Sequence, residues 1–113
     1  MAAVANLSID QGATFTSDIT VKDINGNVFD LTGYTAVAKL AKGYSSTRTR
    51  TAMTTAFATD RTTGVLTISL TANQTTALDA ERYVYDVEIT SSTGSVTRVL
   101  EGIITVRPEV STS

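Results

Sequence analysis

Asp79 and Glu81 stand two residues apart, as do Asp86 and Glu88, in stretches that read as strands. Side chains at that spacing share a face of a strand. Two carboxylates on one face could form the acid–base pair of a glycoside-cleaving site. A solvated sheet face shows the same spacing and is the stronger reading. Nucleophilic catalysis has less to work with. The chain contains no His and no Cys, so the commonest general base and the thiolate nucleophile are both absent. A Ser or Thr hydroxyl would need Lys22, Lys39, Lys42 or a carboxylate as its base, and none of these stands in a recognisable motif. No catalytic residue and no cofactor is expected.

Asp23-x-Asn25-x-Asn27, with Asp30 nearby, places oxygen ligands at alternate positions, as a calcium loop does. Gly26 precedes the third oxygen where the calcium pattern puts its glycine after it, and the distal Glu is missing. Asn25-Gly26 is also an ordinary hairpin signal. No metal site is therefore expected, although the turn leaves calcium open. The segment Gly43 to Thr51 carries Tyr44, Arg48 and Arg50, residue types enriched at protein interfaces. These three are candidate contact residues. So are Val4 and Leu7, in an apolar N-terminal run that could serve as an arm adding a strand to a partner's sheet edge. The face that carries Arg82, Val84, Asp86 and Glu88, with Arg98 and Val99 beside it, mixes charge with apolar surface.

The elements that must position these residues read as strands. Thr occurs 22 times, Pro once and Trp never. β-Branched residues suit a pleated surface. A short strand is expected from Asn6 to Ile9, and a clear one from Ala13 to Val21 with Phe15, Ser17, Ile19 and Val21 inward. Asp23 to Asn27 turns the chain, Val28 to Leu31 is a short extended piece, and Thr32-Gly33 bends it again. Tyr34, Ala36, Ala38 and Leu40 then share an inner face, with Val37, Lys39 and Ala41 outward. Further strands are expected over 51–59, 65–70, 82–90 and 96–106. Thr71 followed by Gln74 has capping-box spacing and opens one or two helical turns. Gly102 marks a bulge or a close backbone approach. About seven short strands with regularly spaced turns indicate an antiparallel, immunoglobulin-like β-sandwich. It is one all-β domain over 1–113, with its core in residues 5–108. Tyr83 is the candidate for the corner tyrosine whose hydroxyl ties back to the upstream backbone.

The net charge is −2, with both signs interspersed, so no basic field exists to hold nucleic acid. No stretch approaches the roughly 20 apolar residues that span a bilayer. The start lacks a positive region followed by a long apolar run, so no secretory leader is expected.

The order of strand, Asp23-Ile24-Asn25-Gly26-Asn27 turn, Asp30-Leu31-Thr32-Gly33-Tyr34 and strand resembles the immunoglobulin-like domain of tailed-bacteriophage structural proteins. That domain includes the N-terminal domain of phage baseplate upper proteins. It also looks like short virion proteins of phages that infect cyanobacteria. The resemblance runs from about Ala5 to Pro108, and it implies a non-enzymatic component of the virion, assembled in the host cytoplasm, that works by protein contact. Baseplate proteins carry further modules after this domain, and this chain stops. The expectation therefore falls on a capsid decoration or cement protein that bridges major capsid protein subunits. Tail, neck or baseplate proteins are the second set of partners, a homo-oligomer is open, and a host-surface adhesion module is the reading from another class. On this reading Arg48→Ala combined with Arg50→Ala is expected to leave folding intact and to weaken loading onto particles. Normal loading of the double variant would make the segment only a loop.

Overall fold

The computed structural model describes residues 3–43 and 50–108. Among these residues eight strands form in chain order: β1 (Ala3–Val4), β2 (Leu7–Asp10), β3 (Phe15–Thr20), β4 (Thr35–Ala41), β5 (Arg50–Phe57), β6 (Val65–Leu70), β7 (Arg82–Thr90) and β8 (Val96–Arg107). One α-helix, α1 (Ala72–Thr76), and a 3-10 turn over Arg61–Thr63 complete them. The all-β sandwich expected of the sequence is the observed fold. Its larger sheet runs β1/β2, β8, β7, β4 and the first half of β5, and its smaller sheet runs the second half of β5, β6 and β3. β5 makes the corner. Arg50–Met53 pair with β4, and Thr54–Phe57 pair with β6. Every pairing between named strands is antiparallel except those of β1 and β2, which lie parallel to β8.

Alternation decides the core. Leu66, Ile68 and Leu70 on β6 face Tyr83, Tyr85, Val87 and Ile89 on β7, and all seven are buried with Leu31, Leu40, Ile9 and Ile104. The intervening residues on β6 and β7 are no more than half-buried. Ala41 departs from expectation. It belongs to the outer face but is buried, because its short side chain stands between the longer cross-strand neighbours Arg50 and Val84.

Local signals at the turns act as read. The capping box at α1 is complete: Thr71 Oγ1 accepts from the Gln74 amide (3.2 Å), and Gln74 Oε1 accepts from the Thr71 amide (2.8 Å). Thr75, fully buried, donates to the Ala13 carbonyl (2.9 Å) and accepts from the Gly12 amide (3.1 Å). It thereby ties the helix to the β2–β3 turn. Two Asp-x-Thr turns lie against each other. Asp30 accepts from the Thr32 amide and hydroxyl, Asp60 accepts from those of Thr62, and the Leu31 amide donates to the Arg61 carbonyl. The threonine hydroxyls hold both carboxyls below the usual carboxylate range. Arg61 also stacks 4.1 Å over the Phe57 ring and donates to the Tyr34 carbonyl (2.8 Å). Gly64, at φ 73°, closes this corner, since a Cβ there would lie 2.9 Å from the carbonyl oxygens of Val21 and Phe29.

The N-terminal run is not a free arm. Ala3 pairs with Leu100, Val4 with Glu101, and Leu7 through Asp10 with Ile104 through Arg107, all in one register. The interruption at Ala5–Asn6 is bridged by other bonds. The Ala5 amide donates to Glu101 O (2.9 Å), and the Ile103 amide donates to Asn6 Oδ1 (3.1 Å). The Tyr85 hydroxyl donates to Ala5 O (2.6 Å). Gly102 lies beneath this crossing, where a Cβ would sit 2.1 Å from Ala5 O. Of the two roles expected for Gly102, close approach is the one observed. The bulge lies instead at Val99, which has no partner where the β7–β8 register shifts between Val87 and Glu88.

Gly102→Ala should displace the N-terminal strand and destabilise the fold by about 1–3 kcal/mol, the usual cost of forcing extra atoms into a packed contact. Urea denaturation measures the loss, and faster hydrogen exchange at the Ala5 amide locates it. Burial pushes the Tyr85 phenol from 10.0 up to about 12. A raised folded pKa means that its contribution is complete below pH 10 and disappears as pH rises towards 12. Melting temperature should therefore fall across that window, and Tyr85→Phe should flatten the fall while lowering stability at neutral pH. An unchanged slope in the variant would assign the alkaline loss elsewhere, for instance to Lys42.

Candidate functional site

The outer face of the larger sheet collects most of the chemistry that the described residues expose. Its rows follow from register. Ile103 on β8 stands opposite Val84 on β7, Val84 opposite Ala41 on β4, and Ala41 opposite Arg50 on β5. This row is apolar until it ends in a guanidinium. The adjacent row reads Val4, Glu101, Asp86, Lys39 and Ala52. Arg98 spans its acidic part, with contacts of 3.4 Å to both Asp86 and Glu101. Val37, Val96, Ile103 and Val4 are exposed on this face, Val4 at 73%. The result is an apolar band beside a charged band that is largely neutralised within itself. Such a surface loses little on desolvation and can pack against another protein.

The proposed contact residues divide accordingly. Val4 and Arg50 lie on this face, at opposite edges of the sheet. Leu7 does not. It shares the inner face with Ile104 and packs against the core, so it is spent within the domain. Tyr44 and Arg48 fall outside the described residues. Arg50 borders a dimple of about 50 Å³ with Lys39, Ala41, Gly43, Val84, Tyr85 and Asp86.

Three of the four carboxylates of the acidic pairs, Asp79, Glu81 and Asp86, are held in ion pairs. Asp79 and Glu81 precede β7 rather than lying on it, and both are held by Lys42, at 3.2 Å in the case of Glu81. The two carboxylates, Asp79 first, raise the Lys42 pKa. Asp86 meets Arg98, whereas Glu88, its partner in the second pair, stands opposite Arg98 in the ladder. Tyr83 takes the corner position, its hydroxyl accepting from the Asp79 amide at 2.9 Å. In the Asp23 turn, Asp23 Oδ1 accepts from the amides of Asn25 (2.9 Å) and Asn27 (3.0 Å), so this oxygen serves the hairpin. Among the described residues no cluster of three or more His, Cys, Asp or Glu side chains is placed to hold a metal ion.

One feature escaped sequence reading. A cleft of about 540 Å³ opens between the end of β3 and the β1/β8 edge, lined chiefly by Ile19, Val21, Ile24, Phe29, Val99 and Leu100. Its walls come from segments far apart in sequence, and no periodicity signals such a meeting.

No protein-family model matches the chain, and no curated protein matches it. Among solved structures, an internalin-like protein of Listeria monocytogenes aligns over 94% of this chain with 18% identity and a TM-score of 0.49. The chain spans 28% of that protein's length.

Proposed function

We propose that this domain is a non-enzymatic structural protein that acts by protein contact through the outer face of its larger sheet. Its proposed setting is a tailed-bacteriophage particle, with capsid decoration across major capsid protein subunits as the favoured position and the tail, neck or baseplate as the second. The observation that carries the contact reading is the Ile103–Val84–Ala41 row. Ile103 is exposed, Val84 is partly so and Ala41 lies buried at its end, which gives an apolar strip flanked by charges that already neutralise one another. The virion setting is supported by the resemblance in the Asp23–Asn27 and Asp30–Tyr34 segments. A decoration protein needs only modest affinity at each contact, because the lattice repeats it. A preformed sheet face suits that use, since little conformational entropy is lost on docking.

Quantitative mass spectrometry of heads and tails, separated from purified particles, tests the setting. Hundreds of copies travelling with heads are expected of a decoration protein. A few dozen or fewer travelling with tails would move it to the baseplate or neck, and absence from both would overturn the virion reading. Val4→Glu with Ile103→Glu tests the face. Both residues are exposed, at 73% and 40%, so stability should shift by no more than about 0.5 kcal/mol per site. Loading onto particles that lack the protein should drop at least tenfold, and unchanged loading would remove this face from the contact.

A further inference from the structure

Among the described residues the smaller sheet ends in an open edge. β3 pairs with β6 alone among the described strands. The Val21 amide donates to Gly64 O at 2.8 Å, and antiparallel alternation carries that pattern back along β3. The backbone N–H and C=O groups of Thr16, Asp18 and Thr20 therefore point outward, away from β6. The inner-face residues tell the same story. Leu66, Ile68 and Leu70 on β6 are at most 1% exposed, whereas Phe15, Ser17 and Ile19 on β3 are only half-buried. The core is sealed along β6 and unsealed along β3. The cleft of about 540 Å³ lies at this open side. Apolar side chains line it, and Ile24, at its rim, is 89% exposed. Lys22 and Asp23 also border it. Asp23 keeps its charge but is turned to its own loop through Oδ1, whereas Lys22 has no ion pair among the described residues and is left to meet a carboxylate of a ligand.

We infer that this edge and cleft form a strand-docking site for an extended segment of a partner protein. The segment is apolar at alternate positions and carries an acidic residue beside Lys22. Backbone groups aimed outward specify an extended chain, because a strand alone satisfies them in series. The cleft specifies the apolar alternation, since every second side chain of an added strand faces the core. Lys22 specifies the charge. The docking edge belongs to the other sheet from the proposed contact face, and the site does not depend on the virion setting.

The probe is an acetylated seven-residue peptide in which Thr alternates with Val and which ends in Glu. Added to the ¹⁵N-labelled full chain, it should slow hydrogen exchange at the Thr16, Asp18 and Thr20 amides and shift the resonances of Ile19 and Val21. Methylating the peptide nitrogens that face β3 should abolish both effects. Thr20→Pro removes one outward N–H at an edge position that tolerates proline, and it should abolish binding while the domain stays folded. Should that variant fail to fold, Lys22→Glu serves instead. It should weaken the Glu-ended peptide about two- to fivefold, as loss of an exposed ion pair does, and favour a Lys-ended one. Shifts in the cleft without protection at the three amides would make the site a pocket for small apolar ligands and overturn the proposal. So would an absence of any effect at millimolar peptide. Protection that is present without peptide and grows with protein concentration would assign the edge to a second copy, and that too would overturn it.

Discussion

The Ala5 carbonyl lies where the Cβ of residue 102 would have to be, and the rest of the architecture depends on that crossing. With glycine at 102, the N-terminal strand settles onto β8 in a single parallel register and is fastened there by Tyr85, Glu101 and Asn6. Commitment to β8 has two consequences. It covers the edge of the larger sheet and lets Leu7 and Ile9 complete the core on that side. It also leaves the first strand unavailable to β3, so among the described residues the smaller sheet keeps an open edge. The close backbone contact at Gly102 thus permits the pairing that covers one side of the sandwich.

The opposite corner is held without a disulfide or a metal. Asp30 and Asp60 each cap a short turn through a following threonine, and the two turns meet through the Leu31 amide and the Arg61 carbonyl. Arg61 then serves three neighbours at once, by its carbonyl, its guanidinium and its cationic face over Phe57. A chain of this size buries only about two thirds of its unfolded surface. Polar ties of this kind satisfy backbone groups where the sheets exchange strands and ladder bonds run out. The switch of β5 from one sheet to the other after Met53 is made in the same region.

Charge on the outer surface is organised locally. Lys42 gathers Asp79 and Glu81, Arg98 gathers Asp86 and Glu101, and Arg107 meets Asp10 at 2.8 Å. These exposed pairs contribute little to stability. Their effect is on the surface itself, which carries almost no long-range field and so favours contact by shape and apolar area over electrostatic steering.

Period-2 alternation made β3, β6, β7 and the second half of β8 legible from the sequence, because each has one apolar and one polar face. The Thr71–Gln74 capping box and the glycine-bearing turns were equally legible, since their bonds close within five residues. Tyr83 could be assigned for the same reason: its hydroxyl reaches back only four positions. What only the tertiary structure decided involves partners far apart in the chain. The parallel docking of Ala3–Asp10 on β8 spans 97 positions, and an apolar run looks the same whether it serves its own sheet or another's. For that reason Leu7 read as a contact residue, and the structure places it partly buried against the core of its own domain. Ala41 read as outward and was buried by neighbours from two other strands. The Ile103–Val84–Ala41 row and the cleft beside β3 exist only once register and sheet order are set. Alternation along one strand determines which face a residue takes, and it carries no information about which strand lies beside it.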